Sequence, residues 1–121
     1  MKYTLSLLLC LLTGLSVESC VNHDIGAVTV DCTGYNVVSF NDDIKNKIIA
    51  VKCAIPGCHN GDLGPDRDWT NFSKFQEHAQ EAKRRITLSP FAHDKMPRTG
   101  SLTYEQIKTI VCWVEQGAKD N

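Results

Sequence analysis

Cys53-Ala54-Ile55-Pro56-Gly57-Cys58-His59 places two thiols and an imidazole in one short stretch of chain. Two thiols can form thioethers with the vinyl groups of a haem, and a histidine directly after the second can bind the iron from one face. The usual attachment signature has two residues between its cysteines, whereas four stand there in this chain. Spacing alone therefore leaves other chemistries open: a small Cys53–Cys58 disulfide loop, part of a zinc site, or coincidence. Zinc is the poorest of these. Cys53, Cys58 and His59 would crowd one another around a tetrahedral ion, and no strong fourth ligand stands out in the sequence.

A second candidate stretch runs from Ser89 to Gly100 and contains Pro90, His93, Met96 and Pro97. Two prolines leave it few options for regular structure, so it reads as a constrained loop. Met96 is the expected ligand for the opposite face of the iron, because a thioether sulfur is the usual partner of histidine in electron-carrying cytochromes. His93 is the rival, and Met96 has the competing role of simple core filling. Arg84 and Arg85, just upstream, suit either a haem propionate or the negative end of a helix dipole.

Several segments must deliver these groups. Met1-Lys2 followed by a leucine-rich run from Leu5 to Leu15 reads as a secretory signal. The run has no polar face and is shorter than the roughly 18 to 20 apolar residues a spanning helix needs. Val17 and Ser19 suit cleavage before Cys20, a position that resembles a bacterial lipobox, although Glu18 matches it poorly. The expected division is a signal peptide at 1–19, a lipidated and extended segment at 20–38, and one modest domain at 39–121. The product would be periplasmic, or a lipoprotein anchored at the cell envelope, with simple secretion as the plainer alternative. A net charge of −1 without a basic run gives no footprint for nucleic acid.

Six cysteines in an exported chain require partners. Cys10 leaves with the signal, Cys20 takes lipid, and Cys53 and Cys58 take haem, so Cys32 and Cys112 remain as a pair. Their disulfide would close about 80 residues, worth about 4 kcal/mol in the chain-entropy account.

Within the domain, Val28-Thr29-Val30 and Val37-Val38 read as an extended lead-in or one or two short strands. Ser39 or Asn41 can cap a helix with Asp42 and Asp43 in its first turn. Ile44, Ile48 and Val51 form its stripe, and it leads to Cys53. Turn-formers from Asn60 to Asp66 predict a surface loop. Phe72, Phe75, Ala79, Ala82 and Ile86 then predict a second helix from about Asn71 to Arg85, with His78 on its exposed side. Thr103 and Gln106 form a capping box for a last helix with an Ile107–Ile110–Val111–Val114 face, Trp113 as a core anchor and Gly117 as its stop. The expected fold class is mainly α, with three to four helices.

Taken in order, these features resemble a class I monohaem c-type cytochrome over about Ser39 to Gly117. They are especially similar to exported bacterial domains that carry Cys-x4-Cys-His and close with Gly100-Ser101-Leu102-Thr103 and a Trp113-to-Ala118 segment. The resemblance implies a small cytochrome c-like domain around one covalent haem c. Cys53 and Cys58 would be its thioether attachments, His59 the proximal iron ligand and Met96 the distal one. It further implies first and last helices that cross, near a Cys32–Cys112 bond. The implied activity is outer-sphere carriage of one electron between redox-partner proteins, with a possible place in a larger electron-transfer assembly, and no catalysis. Two alternatives remain: a haem peroxidase or gas-sensing domain with a labile sixth ligand, or a haem-free, disulfide-stabilised exported lipoprotein.

Overall fold

Residues 26–121 are described by a computed structural model; the expected signal peptide and the lipid-bearing Cys20 lie outside the described residues. The first helix, α1 (Phe40–Cys53), begins at Ser39, whose hydroxyl accepts the Asp42 amide while its own amide donates to the Asp43 carboxylate. These bonds satisfy donors that the helix start leaves without partners. The helix is wound in the wider π form, which ends with the Ala54 amide on the Ile49 carbonyl at 2.7 Å. A pitch of roughly four to five residues per turn, instead of about 3.6, changes which side chains share a face. Phe40, Ile44, Ile48 and Ile49 all enter the core, and Cys53 packs against it. The expected stripe is corrected at its end: Val51 turns outward, 59% exposed, and Ile49 takes the buried place.

The single helix expected from about Asn71 to Arg85 is two helices, α2 (Phe72–Glu77) and α3 (Ala79–Thr87). His78 makes the joint. Its amide closes a tight turn onto the Phe75 carbonyl, and its carbonyl accepts the Ala82 amide to start α3. The apolar face survives, because Phe75, Ala79, Ala82 and Ile86 are all buried, and His78 is exposed as expected.

The last helix, α4 (Tyr104–Glu115), carries the expected Thr103–Gln106 capping box and buries Ile107, Ile110, Val111 and Val114, with Cys112 and Trp113 as well. Its end is a Schellman turn: the Gly117 amide donates to the Val114 carbonyl and the Ala118 amide to that of Trp113. Gly117 sits at φ 99°, a left-handed position that glycine occupies without strain.

Among the described residues there is no strand, so the short strands expected near Val28 and Val37 do not form. That stretch runs extended over the helices, with the Val28 amide on the Thr87 carbonyl and the Val38 amide on the Gln116 side chain. Hydrogen bonds spent on helix ends and side chains cannot also build a ladder. Helices α3 and α1 both pack on α4. The Cys32–Cys112 disulfide is formed and fastens the extended stretch to α4. Trp113 is the expected core anchor, its ring 5.8 Å from Phe40 and 5.3 Å from Phe75. The chain is therefore mainly helical, and among the described residues no helix is long and apolar enough to cross a membrane.

Because the disulfide spans 80 positions, replacing it by Cys32→Ser with Cys112→Ala is expected to lower the unfolding free energy by about 2–4 kcal/mol. Denaturant titration of the oxidised parent and the variant measures this directly.

Candidate functional site

Past the end of α1 the chain folds back on itself. The Cys58 amide donates to the Ile55 carbonyl and the His59 amide to the Cys53 carbonyl, both at 3.0 Å. Gly57 takes up the reversal at φ 76°, and its amide is fixed by the Asp62 carboxylate. The four residues between the cysteines are thus absorbed in a closed turn, which returns Cys58 and His59 to the end of the helix. This is the local loop that Pro56-Gly57 led us to expect.

A second reversal brings in a residue that sequence reasoning did not single out. Asn60 and Asp68 pair as an isolated antiparallel bridge, and the Trp69 amide donates to the His59 carbonyl. The Trp69 indole consequently lies flat on the His59 imidazole, centroids 3.5 Å apart and planes within 16°. Trp69 in turn lies 5.2 Å from Phe75. The available signal was a large aromatic side chain directly after a run of turn-formers, where a solvated loop has no use for one.

The electrostatics favour uncharged donors. His59 Nδ1 is buried and has no hydrogen-bond partner among the described residues. Burial, reinforced by the positive charges of Arg67, His78 and Arg85, lowers the His59 pKa to about 4. The ring is accordingly neutral at pH 7, with a lone pair available to a metal. Cys53 and Cys58 are both free thiols. Burial and then the neighbouring Cys58 push the Cys53 thiol up to about 11, so it stays protonated.

Met96 and His93 are separated by their surroundings. Met96 packs against the core and donates its amide to the Arg85 carbonyl at 3.3 Å. The His93 side chain is 90% exposed and pairs with Asp94. Both line a cavity of about 520 Å³ that is bounded also by Val28, Leu102 and Ile107. Cys53, Cys58 and His59 are not among the residues lining that cavity. The structure therefore gathers the two thiols and His59 at the end of α1 and places Met96 beside a separate hollow. Arg85 connects the two places, since its carbonyl holds Met96 and its charge acts on His59. Arg84 and Arg85 both clasp Glu81, at 2.8 and 2.6 Å, so here their charges answer a carboxylate.

Thiols, a neutral imidazole and a thioether are soft or borderline donors, a set that suits haem iron and thioether attachment far better than a hard cation. Within the described residues no group of three or more His, Cys, Asp and Glu side chains is arranged to hold a bare metal ion. The buried Nδ1 of His59 fits a ring kept for some bond that the other described residues do not supply. Compared with known proteins, the chain matches no family model, no curated protein and no solved structure.

In the haem-free chain the His59 ring is expected to titrate near 4 by NMR, and Trp69→Ala to move that value back toward 6.5 by exposing the ring. The unfolded imidazole takes its proton near 6.5 and the folded one only near 4. The unfolded state therefore binds more protons between these values, and stability falls as the pH is lowered through that window. Urea titrations across the same window should show a smaller slope for His59→Phe.

Proposed function

We propose that the chain is an exported monohaem c-type cytochrome that carries single electrons between redox proteins at the cell envelope. The observation that carries this is the contrast between two cysteine pairs. Cys32 and Cys112 are joined, whereas Cys53 and Cys58 stand as neighbouring free thiols beside a histidine with a buried, unpartnered nitrogen. A disulfide belongs to an oxidising compartment, and there a close thiol pair is normally consumed by another bond.

Cys53 and Cys58 would each add S–H across one haem vinyl group, sulfur to one carbon and hydrogen to the other, with no net oxidation. His59 and Met96 would be the protein ligands of the iron, and a bound haem supplies reversible one-electron chemistry. Trp69 holds the plane of the imidazole, and its burial keeps that ring unprotonated. Met96 is preferred over His93 because its side chain packs against the core while that of His93 is in solvent. Were His59 and Met96 both to ligate the iron, transfer would be outer-sphere and the chain a carrier, with partners met through small, transient interfaces. The mainly helical fold, with α1 and α4 in contact, is compatible with a cytochrome c-like domain at 39–121. Cys20 would add a lipid anchor that holds the carrier at the membrane surface.

Intact mass and a pyridine haemochrome spectrum of protein from an exporting, haem-attaching host test this together. One haem and two thioether links are expected, Cys53→Ser and Cys58→Ser each removing one link. Slow carbon monoxide binding by the reduced protein is expected of a firm sixth ligand, and rapid binding would favour the peroxidase or gas-sensing alternative. A colourless product with a Cys53–Cys58 disulfide would overturn the proposal in favour of a haem-free lipoprotein.

A further inference from the structure

We infer that Lys95 is the positioning residue for Met96, a role that rests on the haem proposal and extends it to what holds the sixth ligand in place. Helix α3 ends at Thr87, and the last carbonyls of a helix have no partner within it. Lys95 Nζ binds two carbonyls in that region, those of Ile86 and Leu88, the latter at 2.9 Å. The next residue, Met96, donates its amide to the Arg85 carbonyl. Adjacent loop residues thus occupy three carbonyls at one helix end, and the ammonium lies where the helix dipole favours positive charge.

Among the other bonds of the loop, only the half-exposed Arg84–Asp94 ion pair at 3.7 Å is seen to reach α3, and such a pair is worth little in water. Ala92 to Ser89 and Lys95 to Ala92 are backbone bonds internal to it, and they shape the turn without attaching it to the helix. The Lys95 ammonium and the Met96 amide make the hydrogen-bonded attachment to the end of α3, and Lys95 stands directly before the sulfur-bearing residue. An ammonium bound to two carbonyls is a stronger tie than a neutral amide at 3.3 Å. Losing it would leave the loop on one long hydrogen bond and a half-exposed ion pair, so that Met96 would be held less firmly.

The test uses the haem-loaded full chain and the variants Lys95→Leu, which keeps the apolar stem, and Lys95→Arg, which keeps the charge and donors. Lys95→Leu is expected to speed carbon monoxide binding to the reduced protein by about ten-fold or more, the factor that even one of its two lost charge-assisted hydrogen bonds would set. It should also weaken the long-wavelength sulfur-to-iron absorption of the oxidised protein, and Lys95→Arg should restore most of both. Lys95→Gln serves as a second loss variant if Lys95→Leu folds poorly, as judged by helical circular dichroism. Wild-type rate and absorption in the loss variants would overturn the Lys95 role alone, as would a Lys95→Arg variant as fast as Lys95→Leu. A wild-type product without haem would overturn the haem proposal and this role together.

Discussion

The imidazole of His59 is oriented by a line of ring contacts that starts in the middle of the core. Trp113 stacks on Phe75, Phe75 lies against Trp69, and Trp69 covers His59. Aromatic pairs of this kind contribute about 0.5–1.5 kcal/mol each beyond the area they bury, so the line resists bending at every joint. Its inner end is fixed as well, because the Trp113 indole donates to the Lys119 carbonyl and the ring faces Phe40 at the start of α1. Helix α4, which carries no candidate ligand, therefore sets the angle of the candidate ligand just past the end of α1.

That dependence is also why parts of the molecule were readable along the chain and others were not. Everything that defines α4 is local: the capping box, the spacing of Ile107, Ile110, Val111 and Val114, and Gly117 at the end. Helix α1 was legible as an element but not in its face, since nothing beside Ile49 or Val51 announces a wider pitch. The break at His78 lacks a proline or glycine to mark it. The Trp69–His59 stack arises from a reversal through Asn60 and Asp68, which residue spacing does not encode. The Cys32–Cys112 pair came from counting cysteines, and geometry then placed it. Met96 and His93 differ in depth, a property of the folded chain alone.

Charge is distributed in a way that follows from the same packing. Two of the proposed haem-binding groups are kept neutral by burial, His59 unprotonated and Cys53 as a thiol. The nearby formal charges are met at the surface, where Arg84 and Arg85 grip Glu81 and hold its carboxyl down to about 2. In the proposed cytochrome such surroundings would disfavour the more highly charged, oxidised iron, one of the ways a protein raises a reduction potential.

The cross-link between Cys32 and Cys112 has a mechanical side. Cys53, Cys58, His59 and Met96 all belong to the covalent ring that it closes. Tension applied at the two ends of the chain would pass from Cys32 straight through sulfur to Cys112 and out along the tail, bypassing the polypeptide between them. A protein tethered to a moving surface and tugged by whatever it touches would feel that force in α4, while the loops bearing the donor atoms hang slack beside the load path.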